Sequence, residues 1–146
     1  MRIGTYSNVK RVNVLMKKVQ RRIKEVVPEL EISDYSVDGD TTITGEVARQ
    51  MQMADVNIFM WMGSGLDNSF LQKAVKLLKH YNKTFLVVVD NAEDEEIANG
   101  FTAEQIQIVW QYKRYDGEEN IFNMLLWLGK TFGRLNTSPL PPKQLP

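Results

Sequence analysis

Two continuous apolar runs in the middle of the chain constrain its fold more than any other feature. Val56–Met62 and Thr84–Val89 are apolar almost throughout. Strands buried on both faces have this pattern, whereas strands with one solvated face alternate apolar and polar residues. Residues 70–81 lie between the two runs and have the apolar spacing of a helix. The two strands are therefore expected to be parallel, because a helical crossover joins parallel strands.

The first half of the chain repeats this alternation. The spacing predicts strands at Arg2–Tyr6 and Leu30–Val37, and helices at Val9–Val26 and Ile43–Met53. Right-handed crossovers then favour a flavodoxin-like (Rossmann-like) α/β fold. Its sheet is expected to have four parallel strands in the order 2-1-3-4, with helices on both faces.

The alternation stops after Asp90, and two C-terminal helices are predicted. The first begins with Thr102 and Gln105 in capping-box spacing and continues through Trp110. The second spans residues 116–132 and is apolar nearly all round, whereas surface helices normally have a single apolar stripe. We therefore expect this helix to be central to the core or to be covered by a partner. Self-association is predicted through four of its side chains: Phe122, Leu126, Trp127 and Phe132.

Prolines divide the chain into a folded part and a tail. Four of the five prolines fall in the last eight residues, where they favour extended backbone. We expect residues 1–134 to form the α/β head domain and residues 135–146 to form a proline-rich linker toward a missing downstream domain.

Composition excludes several classes of protein. The 146 residues include no cysteine and one histidine, which excludes disulfides, thiol nucleophiles and His-rich zinc centres. The 18 basic and 18 acidic residues balance, which argues against a dedicated nucleic-acid binder. No apolar run approaches the roughly 20 residues that span a bilayer, so a cytoplasmic protein without a membrane span is expected. No catalytic pair or metal cluster can be assembled from the sequence.

Candidate binding residues lie where strands end. Ligands of doubly wound sheets bind at the carboxyl ends of strands, where the strand order reverses. Ser7 and Asn8 follow the first strand, and Gly63, Ser64 and Gly65 follow the third. Ordinary capped turns are the alternative interpretation, because the phosphate-binding glycine patterns are absent.

Basic residues crowd the first helix. This set is either the solvated face of the helix or a surface for an acidic partner. It comprises Lys10, Arg11, Lys17, Lys18, Arg21, Arg22 and Lys24.

One stretch of the C-terminal third resembles a known family. Residues 110–128 read WQYKRYDGEENIFNMLLWL and are followed by Pro139-Leu140-Pro141. This pattern is similar to the N-terminal region of the CobN/magnesium chelatase large-subunit family (cobaltochelatase large subunits). Asp116 departs from the pattern, because the family has a glycine there. The matching residues are Tyr115, Gly117, Glu119, Asn120, Asn123, Leu125, Leu126 and Leu128.

The resemblance implies a function. Family members bind a tetrapyrrole and insert cobalt or magnesium with the help of two ATPase subunits. It adds Tyr115, Glu119 and Asn120 to the candidate substrate-binding residues. The implied partners are the remainder of the large subunit, the ATPase subunits and the tetrapyrrole. ATP, Mg²⁺ and the inserted metal belong to the full complex, and this head domain is expected to hold no cofactor and not to be catalytic alone.

Two other functions remain open. The chain could be a stand-alone flavodoxin-like module that binds a nucleotide or small anion, as the strand-end crevice suggests. It could also be a purely structural interaction domain without a ligand.

Overall fold

A computed structural model describes most of the α/β body. The described residues are 1–7, 10–37, 43–61, 69–89, 107–111 and 117–132, together with the single positions 92 and 96. The predicted linker at residues 135–146 lies outside them.

Strands and helices alternate along the described chain. The strands are β1 (Arg2–Ser7), β2 (Glu31–Ser36), β3 (Val56–Met60), β4 (Thr84–Val89) and β5 (Gln107–Gln111). The helices are α1 (Lys10–Val26), α2 (Gly45–Met53), α3 (Ser69–His80) and α4 (Gly117–Phe132). A side-chain hydrogen bond marks the start of α2. Thr44 caps α2, because its side-chain oxygen accepts the Val47 N–H at 3.2 Å.

The described strands form one parallel sheet in the order β2-β1-β3-β4-β5. The predicted α/β class and the predicted order 2-1-3-4 are confirmed. All five residues of β3 are buried, as its continuous apolar sequence predicts.

The fifth strand corrects the prediction of two C-terminal helices. Residues 107–111 fall at the end of the first predicted helix, yet they pair with β4, with Ile108 beside Leu86 and Trp110 beside Val88. The spacing from Ile106 to Val109 suggested a helix, but Ile108-Val109-Trp110 is also a β-branched and aromatic run that suits a strand. Pairing with the open edge of β4 decides between these two local preferences. The second predicted helix is confirmed as α4.

Two cores lie on opposite faces of the sheet. The first core lies under α1 and α4 and is mainly aliphatic, and the second lies under α2 and α3 and is rich in aromatic rings. Helix α1 contributes Val12, Met16, Val19 and Ile23 at three- and four-residue steps. Helix α4 contributes Ile121, Met124, Leu125 and Leu128. Among the described residues, no helix is long and apolar enough to cross a membrane.

Candidate functional site

The strand order reverses between β1 and β3. The chain leaves β1 through α1 on one face and reaches β2, whereas it leaves β3 through α3 on the other face and reaches β4. In doubly wound sheets, the carboxyl ends of two strands whose connections diverge in this way are where ligands bind. Ser7 ends β1 and pairs with Met60, the last residue of β3. The predicted position of Ser7 at this edge is therefore where the structure places it.

Ser7 belongs to a chain of polar side chains that runs from β1 to β2. Its Oγ donates to Asn13 Oδ1 at 3.2 Å, and Asn13 Nδ2 donates to Asp34 Oδ2 at 2.7 Å. Thr5 Oγ1 donates to the other carboxylate oxygen, Asp34 Oδ1, at 2.6 Å. Ser7 and Thr5 are fully buried, whereas Asn13 and Asp34 are half-buried. These hydrogen bonds therefore connect the buried end of β1 to the half-buried carboxylate of Asp34, which holds the negative charge.

This arrangement suits binding better than nucleophilic chemistry. A serine nucleophile needs a base that takes its proton, such as a histidine or a carboxylate. The hydroxyl of Ser7 donates instead to a carboxamide oxygen, which is not a base. Asp34 already accepts two hydrogen bonds from neutral groups, which fixes its carboxylate in one orientation. The described polar chain can orient a ligand but supplies no activated nucleophile.

Trp61 directly follows β3, at the same edge of the sheet as Ser7 but on the opposite face. Its side chain is fully buried, and its ring stacks on Phe70 in the first turn of α3, with centroids 6.0 Å apart and planes at 9°. Its indole Nε1 is buried without a hydrogen-bond partner among the described residues. Sequence reasoning did not select Trp61, because it lies within the apolar run Val56–Met62 and resembles core packing. The available signal was an indole N–H on the residue that directly follows a central strand.

Glu119 lies in the first turn of α4 and forms an ion pair with α1. Arg22 Nη1 lies 2.7 Å from Glu119 Oε1 and 2.9 Å from Glu118 Oε2. The Arg22 guanidinium also lies 4.2 Å from the centroid of the Phe122 ring. The hydrogen bond to Glu119 is the main reason that the pKa of Arg22 is raised. Glu119 therefore ties α4 to α1 in this structure.

Asn120 differs from Glu119 although the two residues are adjacent. It is 4% exposed, and its Oδ1 is buried with no donor among the described residues. Leaving a buried polar atom unpaired costs about 1–3 kcal/mol. Such a group calls for an explanation, for which a ligand or a partner chain is one candidate.

The described candidates do not converge on one point. Ser7 is bonded to Asn13 and Glu119 to Arg22, which are nine positions apart on α1 and so roughly 14 Å apart along its axis. The remaining predicted site residues lie outside the described residues: Asn8, Gly63, Ser64, Gly65 and Tyr115. Within the described ranges, no group of three or more acidic or histidine side chains could hold a metal ion.

The outer surface of α4 bears on the predicted self-association. Phe122, Leu126 and Trp127 are partly buried and pack against the first core. Phe132 ends the helix, and its side chain is not among those described. The apolar character of α4 is thus explained in part by burial within this chain. Self-association through these residues stays a prediction.

The comparisons with known proteins add no family. No family model matches the chain, and no curated protein sequence matches it.

Proposed function

We propose that this chain is the head domain of a cobaltochelatase-like large subunit. Its role there is to contribute to tetrapyrrole binding or to subunit contacts during ATP-dependent metal insertion in cobalamin biosynthesis, in the cytoplasm. The proposal starts from the resemblance of residues 110–128 to that family. These residues include the first three turns of α4, which packs beside α1 over the first core.

Asn120 is the observation that carries the proposal. It belongs to the family-like Glu-Asn pair and is buried in the first turn of α4, where its side-chain oxygen has no donor among the described residues. A leucine of similar volume would avoid the cost of the unpaired oxygen. An asparagine that costs stability at this position is consistent with recognition of a donor that the described residues do not supply.

Substitution of Asn120 separates a binding role from a structural one. Asn120→Leu should raise the melting temperature, because it removes an unsatisfied polar atom from a buried site. It should also weaken binding to the tetrapyrrole or to the ATPase subunits. Gln52→Leu is the matched control, since Gln52 is an exposed amide on α2 and lies outside the residues that carry the resemblance. The control should leave binding unchanged.

The binding assays use the 146-residue chain. Hydrogenobyrinic acid a,c-diamide and protoporphyrin IX are titrated separately, and the visible absorption bands are followed. In parallel, the immobilised chain is tested for retention of the chelatase ATPase subunits. A saturable band shift or retention of the subunits, lost in Asn120→Leu, supports the proposal. Absence of both the shift and the retention overturns it.

A nucleotide- or anion-binding module is the second candidate. The carboxyl ends of β1 and β3 favour it, because Ser7 is buried there and the indole N–H of Trp61 is buried without a partner among the described residues. Calorimetry with ATP, flavin mononucleotide and inorganic phosphate tests this candidate. Trp61→Phe should weaken any binding at this edge, because it removes the donor and keeps an aromatic ring. Saturable binding of one of these ligands, without a tetrapyrrole shift, would favour the second candidate over the first.

A further inference from the structure

The outer face of α1 carries a strip of positive charge. Lys17, Lys18, Arg21 and Lys24 are exposed and occur at three- and four-residue steps, which places them along one side of the helix. The strip is about 10 Å long from Lys17 to Lys24. The chain as a whole has a net charge of zero, so this face concentrates charge that is balanced elsewhere.

No ion pair among the described residues neutralises the strip. Arg22 points to the other side of α1 and is held by Glu118 and Glu119. Glu31 lies near the strip, but its carboxylate is 3.2 Å from Arg2 Nε. Glu25 is the acidic side chain that α1 itself exposes beside the four cations. The strip therefore keeps an excess of positive charge.

A groove adjoins the strip at the edge of the sheet. Strand β2 is an edge strand, and a cavity of about 400 Å³ lies between its start and the second half of α1. A second depression of about 310 Å³ lies over the strip itself. Gln20 and Lys24 line both, so the two form one continuous surface. The groove is lined by Gln20, Ile23, Lys24, Pro28, Leu30, Glu31 and Ile32.

We propose that this strip and groove form a docking surface for an acidic peptide segment of a partner protein. Carboxylates of the segment pair with Lys17, Arg21 and Lys24. An apolar side chain of the segment enters the groove beside Ile23 and Ile32. The inference deepens the proposed function and rests on it for the role of the contact, since it gives the chemistry of the partner in a subunit contact.

The geometry favours an acidic peptide over nucleic acid and membrane. Nucleic-acid binding draws its affinity from many phosphate contacts, whereas the strip offers four cations over about two helical turns. A helix that lies on a membrane needs its apolar face free. The apolar face of α1 instead fills the first core with Val12, Met16 and Val19.

The test uses a fluorescein-labelled peptide of ten glutamates with two central leucines. Binding to the chain is followed by fluorescence anisotropy at low and high salt. The strip variant Lys17→Glu/Arg21→Glu/Lys24→Glu should raise Kd at least tenfold. The matched control is Arg49→Glu/Lys76→Glu/Lys130→Glu, which changes the net charge equally at exposed positions elsewhere. The control should change Kd less than twofold.

Further measurements identify what binds to the strip and groove. A peptide of twelve glutamates without leucine should bind more weakly, and the leucine peptide should shift the methyl NMR signals of Ile23 and Ile32. Equal loss of affinity in the strip and control variants overturns the proposal. So does tighter binding of a single-stranded DNA of equal charge, or of vesicles with anionic lipid. A dimer in sedimentation that the strip variant dissolves would assign the surface to a second copy and also overturns it.

The outcome is independent of the chelatase assays. The peptide assay contains no tetrapyrrole and no ATPase subunit. Failure of the docking surface therefore leaves a tetrapyrrole shift intact. Conversely, strip-dependent peptide binding without a shift or retention of the ATPase subunits would retain the surface and reject the chelatase role.

Discussion

The two faces of the sheet differ in the kind of side chain that they bury. The face under α2 and α3 holds a row of aromatic rings, in which Tyr6 and Phe59 stack with centroids 5.1 Å apart. Phe59 also meets Trp61 and Phe85 edge to face, each at 6.2 Å. The face under α1 and α4 buries aliphatic and methionine side chains instead. Aromatic pairs contribute beyond the area that they bury, so the aromatic face should be the more sensitive to substitution.

The two faces also differ in where the hydrogen bonds of their buried polar groups lead. On the aromatic face, Tyr6 Oη donates to Asn57 Oδ1 at 2.8 Å, and Asn57 Nδ2 donates to Met51 O at 3.1 Å. This chain of hydrogen bonds is closed within the protein, and Trp61 Nε1 is the unpaired exception among the described side chains there. On the other face, the polar chain of Ser7 leads to half-buried Asp34. The comparison suggests that the aromatic face mainly holds the fold together, whereas the α1/α4 face carries most of the candidate binding groups.

The largest expected effect is at Phe59, the centre of the aromatic row. Phe59→Ala should lower the free energy of unfolding by about 3–5 kcal/mol, because it leaves a cavity in a fully buried cluster. The adjacent Ile58 points to the aliphatic face, and Ile58→Ala, which also truncates a fully buried side chain to alanine, should cost less, near the lower end of about 2–5 kcal/mol. Urea denaturation measures both. Equal losses at the two positions would contradict the proposed difference between the faces.

The next largest loss of stability is expected at Gly4 and Tyr6, which lie close together. A Cβ at Gly4 would lie 2.6 Å from Tyr6 Oη, so Gly4→Ala should destabilise the fold by about 1–3 kcal/mol. Tyr6→Phe removes the hydroxyl and leaves Asn57 Oδ1 without its donor, at a cost of about 1–3 kcal/mol. The double variant should lose less than the sum of the two, by at least about 0.5 kcal/mol. Strict additivity in urea denaturation would show that the two residues do not compete for space.

A smaller effect follows from the ionisation of Tyr6. Burial, and to a lesser degree the neighbouring Tyr35, raises the pKa of Tyr6 above its ordinary value. Above about pH 10 the unfolded chain loses this phenolic proton while the folded chain keeps it, so stability falls as the pH rises. The stability difference between the native protein and Tyr6→Phe should then change by up to about 1.4 kcal/mol per pH unit, at the expense of the native protein. A constant difference would contradict burial of this hydroxyl.

The sequence predicts the sheet better than it predicts its edge. Each strand from β1 to β4 is separated from the next by a helical pattern, and that alternation leaves few possible strand orders. Strand β5 lacks this support, because Gln107–Gln111 is too short to distinguish a helical period from a strand. Strand β5 forms by pairing with the edge of β4. A local sequence pattern gives no information about whether such an edge is available.

The site shows the same limit. Ser7 could be predicted from its place at the end of a strand, because the carboxyl ends of parallel strands meet at one edge. Asp34 could not, since it lies 29 residues from Thr5 and becomes its neighbour only through the register of β1 and β2. The apolar run Val56–Met62 indicates that Trp61 is a core residue, and the resemblance of residues 110–128 indicates that Asn120 is a motif residue. Their unpaired atoms emerge only when the side chains around them are in place.

The smallest expected effect is at Arg22, which joins α1 to α4 on the aliphatic face. Its guanidinium is partly exposed, so water and salt screen its pairs with Glu118 and Glu119. Arg22→Ala should lower stability less than any of the preceding substitutions. Arg22→Met should recover part of the loss, because its side chain still covers Phe122. The remaining loss should shrink in 1 M NaCl, measured by thermal denaturation of both variants. A loss as large as that of Phe59→Ala would show that this ion pair stabilises the α1/α4 face as strongly as the aromatic rings stabilise the other.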